Sequence, residues 1–280
     1  MLVIVRRLAL AKRRANGLSG RMASIDTSVG RIGVAEAGGG DGTPLLFLHG
    51  VGSDKSVWHP QLAALGRTRR CLAMDYPGYG ESGFVAGAGH DSYAAAALAL
   101  LDALGIGRAH VCGLSLGGVV AIAMHAAAPE RCASLILADT FAVHPDGQAI
   151  HDRSLAAAAE LGMRGLAEAR VDALLAPAAL PSVRSEVVET MAGIDPAAYA
   201  QGAAAVWLAD QRARVAAIAV PSLILVGSAD RITPPALSED LKDRLPQAAL
   251  VEIAGAGHLA NLEQPAIFNR VVETFLSGLD

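Results

Sequence analysis

Gly113-Leu114-Ser115-Leu116-Gly117 follows an apolar, partly β-branched run ending at residues 108–112 and precedes a small-residue, helix-prone stretch at 118–128. It is the only G-x-S-x-G in the chain. A serine on such a strand-to-helix corner is lifted out of the sheet, and flanking glycines let the backbone turn sharply without a Cβ clash. A serine hydroxyl is a weak nucleophile at neutral pH. It needs a base to take its proton, a third group to hold that base, and N–H donors for the oxyanion that forms.

Outward from the corner, residues 44–48, 70–74, 110–112, 135–138, 222–226 and 249–253 are short apolar runs, mostly separated by helix-like stretches. Strands buried on both faces and alternating with helices predict an α/β fold with a doubly wound, mostly parallel sheet. Residues 24–29 and 31–37 alternate around Gly30 and predict an antiparallel hairpin at one edge, for eight strands in all. The alternation stops over residues 142–219, where helices fit 149–161, 164–175, 182–191 and 196–208. Such an insertion would lie over the carboxyl ends of the strands, where open α/β sheets bind ligands. The chain is therefore divided into a core of residues 22–141 and 220–280 and a helical cap of residues 142–219.

The 280 residues are 52% hydrophobic, 18% charged and 4% aromatic, enough for a large core built from aliphatic side chains rather than rings. A net charge of −4 offers no field for nucleic acid. Residues 1–21 hold six basic side chains and no acid. They are expected to be a poorly ordered upstream extension with Met22 as the true start, a weak amphipathic anchor or transit peptide being the other readings. The apolar run at residues 2–5 is too short to span a membrane, so no stable membrane insertion is expected. Cys71, Cys112 and Cys132 have no metal-pair spacing and read as core hydrophobes of a reducing, cytoplasmic protein.

The helpers Ser115 needs have candidates. Asp230 follows the run at 222–226, and His258 lies in the small-residue loop Gly255-Ala256-Gly257-His258 after the run at 249–253. Both sit at carboxyl ends of strands, as Ser115 does, and the order Ser, Asp, His suits a nucleophile elbow. His258 would take the serine proton while Asp230 holds the other ring N–H. Phe47-Leu48-His49-Gly50-Val51-Gly52-Ser53 ends another strand, so the N–H of Val51, with that of Leu116, would face the oxyanion. His49 reads as a structural hydrogen bonder. Gly78-x-Gly80-x-x-Gly83 matches a dinucleotide fingerprint, but residues 84–90 carry poor helix signals, so no nucleotide is expected. Neither cofactor nor metal is expected.

With these motifs the chain resembles the α/β-hydrolase fold superfamily over roughly residues 24–279. Within it, Gly113-Leu114-Ser115-Leu116-Gly117-Gly118 and Gly257-His258-Leu259-Ala260-Asn261-Leu262-Glu263-Gln264-Pro265 are similar to 3-oxoadipate enol-lactonases and related small esterases. The resemblance implies a cofactor-independent serine hydrolase of a small-molecule ester or enol-lactone, with Ser115, Asp230 and His258 catalytic and Val51 and Leu116 forming the oxyanion hole. Pro77 in Asp75-Tyr76-Pro77-Gly78-Tyr79-Gly80-Glu81-Ser82 is instead like C–C bond hydrolases of ring-cleavage products, which remain the alternative. A slow or non-catalytic receptor of the same fold is the alternative of another class. Perhydrolase side activity and homo-oligomerisation stay open. Trp207 and Met191 are candidate substrate contacts in the cap. One of Arg153, Arg164, Arg170, Arg184, Arg212 and Arg214 should face the serine if the substrate carries a carboxylate.

Overall fold

The computed structural model describes residues 21–279; residues 1–20, most of the basic extension, lie outside them. The chain opens with strands β1 (Arg21–Thr27) and β2 (Gly30–Ala37), an antiparallel hairpin with Thr27 opposite Gly30. The turn is Ser28-Val29, two residues earlier than the sequence suggested. Thr27 Oγ1 donates to the Gly30 carbonyl at 2.6 Å, and Gly30 takes φ +115°, so the glycine closes the turn instead of forming its tip.

The remaining strands are β3 (Leu45–Leu48), β4 (Cys71–Met74), β5 (Ala109–Leu114), β6 (Cys132–Ala138), β7 (Ser222–Gly227) and β8 (Ala249–Ile253). One eight-stranded sheet has the order β1-β2-β4-β3-β5-β6-β7-β8, with β2 antiparallel to both of its neighbours and the others parallel. Helices α1 (His59–Leu65), α2 (His90–Ala103) and α3 (Leu116–Ala127) make the early crossovers. In this order β4 lies on one side of β3 and β5 on the other. The loops leaving β3 and β5 therefore diverge at a topological switch point, where a crevice opens. Leu48 pairs with Gly113 there, so the loops beginning at His49 and Ser115 emerge side by side.

Period-two alternation divides the strand side chains between two cores. Leu46, Leu48, Val111, Leu135 and Leu137 pack with α2 and α3 on one face. Leu45, Phe47, Cys112, Leu114 and Ile136 pack on the other with α1 and the carboxyl-terminal helix. On that second face the buried Trp58 stacks on Phe47 with ring centroids 4.7 Å apart. All three cysteines are free and buried, and burial pushes the Cys71 and Cys132 thiols up to about 12.

Between β6 and β7 run α4 (Gly147–Leu174), α5 (Pro181–Ala192), α6 (Pro196–Trp207) and the short α7 (Arg212–Val215). Within α4 the two helices predicted over 149–161 and 164–175 are both present, separated at Gly162, whose φ of 67° and ψ of 173° are not helical and turn the second helix away from the first. Asp195 caps α6 by accepting from the Ala197 amide at 2.8 Å. After β7 come α8 (Pro235–Arg244), then β8, α9 (Ala260–Glu263) and α10 (Pro265–Ser277). Among the described residues no helix is long and apolar enough to cross a membrane.

Candidate active site

Ser115 is the residue between β5 and α3, and its backbone sits at φ 56° and ψ −114°. A non-glycine residue held there is strained by roughly 1–3 kcal/mol, so surrounding structure must enforce it. Hydrogen bonds to its main chain do so. The Ser115 amide donates to Ala138 O at 2.9 Å, and Thr140 Oγ1 and the Gly118 amide both donate to Ser115 O. The glycines are needed for close approach: a Cβ on Gly113 would lie 2.1 Å from Gly117 O, and one on Gly117 would lie 2.1 Å from Leu48 O. Gly117→Ala is therefore expected to cost about 1–3 kcal/mol and to displace the serine, measured as a lowered Tm together with lost activity.

Asp230 leaves the end of β7 and His258 the end of β8, both almost wholly buried. His258 Nδ1 donates to Asp230 Oδ2 at 2.8 Å. Thr233 Oγ1 donates to the same oxygen at 2.7 Å, and the amides of Ile232 and Thr233 donate to Oδ1 at 2.7 and 3.0 Å. Burial pushes the Asp230 carboxyl up, but the charge and hydrogen bond of His258 and the Thr233 donors outweigh it, leaving the group below the usual carboxylate range. A depressed carboxyl contributes stability above its unfolded value and loses it only as pH falls through the lower folded one. Asp230 thus stays ionised into mildly acidic solution.

Asp139, at the end of β6, is a second buried carboxyl that sequence reasoning missed. It shares positive φ with Ser115, at 48°, and Oδ1 accepts the Gly227 amide at 2.8 Å while Oδ2 has no donor. Burial first, then the negative Asp230, push its carboxyl well above the ordinary range, which favours the protonated acid facing Asp230. Asp139→Asn, which keeps a donor and removes a latent charge, is expected to hold activity within about threefold. Asp139→Ala should lose about tenfold or more in kcat, because it strips Asp230 of that partner. Steady-state assays of the two variants check this.

The histidine loop is tied to the cap. The His258 amide donates to Leu174 O at 2.8 Å, and Glu263 accepts from the amides of Gly257 at 2.9 Å and Ala176 at 2.7 Å. Thr233 and Glu263 were hidden in sequence because neither carries chemistry by itself. The spacing Asp230-x-x-Thr233 before a proline was the available signal for the first.

Ser115 and His258 line one narrow cavity of about 40 Å³ with Val51, Arg170, Met191 and Trp207. Met191 reaches it from α5 over Gly52, and Trp207 closes α6 stacked near Phe141, ring centroids 5.9 Å apart. Both predicted cap contacts thus face the serine cavity. Of the six candidate cap arginines only Arg170 lines it, with Nη1 donating to Ser154 Oγ at 3.1 Å and Tyr199 Oη at 3.0 Å. Leu116 is the first residue of α3, and the Val51 carbonyl is held by Tyr79 Oη at 3.3 Å.

His49 donates from Nδ1 to Gly50 O at 2.8 Å and accepts the Tyr76 amide at Nε2, while burial lowers its pKa. It is the structural hydrogen bonder its position suggested. Within Gly78-x-Gly80-x-x-Gly83 it is Gly80 that makes room for Asp75: it has φ +49°, a Cβ there would lie 2.3 Å from Asp75 Oδ2, and the next helix starts only at His90. The loop does not open a helix N-terminus, as a dinucleotide site would require.

The chain is similar to the 3-oxoadipate enol-lactonase 1 of Acinetobacter baylyi, at 27% identity over 84% of this chain and 89% of that protein. In structure it is similar to the enol-lactonase from Burkholderia xenovorans LB400, with TM-score 0.85, 28% identity and coverage of 91% of this chain and 99% of the other. A thermophilic esterase from Thermogutta terrifontis, malate bound, superimposes with TM-score 0.83 at 29% identity over 92% and 99% of the two chains. The alpha/beta hydrolase family pattern matches residues 45–271 and takes in the elbow, Asp230 and His258, so the chain belongs to the alpha/beta hydrolase family.

Proposed function

We propose that the protein is a cofactor-independent serine hydrolase that cleaves a carboxylic ester or lactone through an acyl-enzyme on Ser115. The observation that carries this is the buried His258–Asp230 pair at 2.8 Å opening on the same cavity as a serine held on a strained elbow. His258 takes the Ser115 proton as the hydroxyl attacks the carbonyl, then delivers it to the departing alcohol oxygen. Water, activated by the same ring, releases the acid. The amides of Val51 and Leu116 hold the oxyanion, and Asp230 keeps the imidazole oriented and stabilises its charged form. The similarity to enol-lactonases and an esterase supports the ester or lactone bond as the target.

The narrow cavity favours a short acyl group. Turnover of p-nitrophenyl acetate or butyrate is expected to exceed that of the decanoate by about tenfold or more in kcat/KM. A fluorophosphonate should form one adduct per chain, on Ser115 by peptide mass mapping, and abolish that turnover. An adduct on another residue with activity lost, or stoichiometric binding of esters with no turnover, would overturn the assignment, the second result in favour of a receptor.

A further inference from the structure

Beside the serine cavity lies a second one, about 310 Å³ and open to solvent, and Arg170, Trp207 and Ile232 line both. Its other walls bring Arg153 and Ser154 from the first half of α4 and Arg231 from the loop after β7. Three guanidinium groups thus meet in a cavity with no Asp or Glu in its lining.

This is unlike the other cap arginines, which are matched to carboxylates. Arg164 holds Glu189 through both Nη atoms at 2.9 and 2.7 Å, Arg212 pairs with Asp210 at 2.6 Å, Arg214 with Asp91 at 2.6 Å, and Arg184 with Asp172. Arg170 instead donates to two hydroxyls, and Arg231 to the backbone carbonyls of Asp172 and Leu175. Arg153 has no hydrogen-bond or ion-pair partner among the described residues. The indole N–H of Trp207, buried between the two cavities, has no protein acceptor. The cavity therefore offers positive charge and unused donors, and its complement is an anion rich in oxygen acceptors. A single carboxylate would balance one of the three guanidiniums, whereas a phosphate dianion balances two.

We propose that this second cavity binds a phosphate group carried on the leaving-group side of an open-chain, short-acyl ester or thioester whose carbonyl sits at Ser115. The assignment rests on the serine-hydrolase reading for the position of the carbonyl. The narrow cavity takes the acyl part. The leaving alcohol or thiol passes Trp207 and Ile232 into the wider space, and its phosphate meets Arg153, Arg170 and Arg231. The guanidiniums act in binding and take no part in the bond changes at Ser115.

The test uses the full chain and acetate esters of matched alcohols with spacers of two to six carbons. Each spacer ends in a methyl ether, a carboxylate or a phosphate monoester, and acetate release is followed at fixed ionic strength. At the preferred spacer the phosphate ester should exceed the neutral one by about tenfold or more in kcat/KM, mainly through KM. The Arg153→Ala/Arg231→Ala double variant should bring that ratio down by about tenfold. A ratio near one at every spacer, a ratio unmoved in the double variant, or a carboxylate preferred over phosphate would overturn the proposal. If no ester is hydrolysed, it is the serine-hydrolase reading that fails, and the cavity is tested by itself with n-butyl phosphate as probe, followed by tryptophan fluorescence. Saturable quenching absent from Trp207→Phe and weakened in the double variant supports the site; no quenching of the parent chain overturns it.

Discussion

Ser115→Ala is expected to lower kcat for a short p-nitrophenyl ester by about 10⁴-fold to 10⁶-fold, with the fold retained by circular dichroism. His258→Ala should cost about as much, and the double variant little more than either single one. In the proposed mechanism the three side chains act as one unit: once the nucleophile is absent there is no proton for the base to take, and without the base the hydroxyl is not activated. Asp230→Asn should cost about 10⁴-fold, because an amide in this hydrogen-bonded slot favours the wrong imidazole tautomer. Residual turnover should remain above the uncatalysed rate, supplied by the Val51 and Leu116 amides and by binding. Additive losses in the Ser115→Ala/His258→Ala variant would show that the two residues work separately, contrary to the mechanism.

Lys55→Met is expected to destabilise the protein by about 3–5 kcal/mol, measured by denaturant unfolding, although the proposed mechanism gives Lys55 no part. Its Nζ lies 2.6 Å from Asp75 Oδ2, with the lysine 3% exposed and the aspartate fully buried. Asp75 also accepts the Lys55 amide at 2.9 Å through Oδ1 and the Glu81 amide at 2.9 Å through Oδ2. The pair thus joins the loop that follows the Val51 segment to the glycine-rich loop after β4. Removing the lysine leaves a carboxylate buried and without its counter-charge, which costs far more than an exposed pair would. Asp75→Leu combined with Lys55→Met should recover much of the loss, since a buried pair replaced by apolar groups is often close to neutral. Burial pushes the Lys55 ammonium down, but the charge and hydrogen bond of Asp75 outweigh it and its pKa is raised. Its stabilisation is then fully present below the ordinary lysine value and is lost as pH rises through the folded value. Parent and variant stabilities should therefore converge only in strongly alkaline solution.

Local pattern in the chain was enough for much of the architecture. The run at 249–253 became the half-exposed edge strand β8, and the buried runs at 44–48, 70–74 and 222–226 became β3, β4 and β7, with ends shifted by at most a residue. Such runs are legible because a strand covered on both faces must be apolar throughout and short. The Ser115 corner was equally legible, because few residue combinations tolerate that turn. The hairpin turn was displaced because Gly30 advertises positive φ without saying which turn position uses it. The break between the two halves of α4 was legible, because Gly162 takes a positive φ that a side chain would resist.

The chain by itself determined the order of strands and helices and the loops that carry Ser115, Asp230 and His258. These follow from short-range sterics and from the burial of apolar runs, both written in consecutive residues. Only the tertiary structure decided that Thr233 and Asp139 flank Asp230, that Glu263 ties the histidine loop to the cap, and that Arg170 rather than five other arginines faces the serine. It also decided that Arg153 and Arg231, far apart in the chain, line one cavity. Charge and hydrogen bonding act through space, so which arginine finds a carboxylate and which is left for a ligand depends on how the cap packs over the sheet.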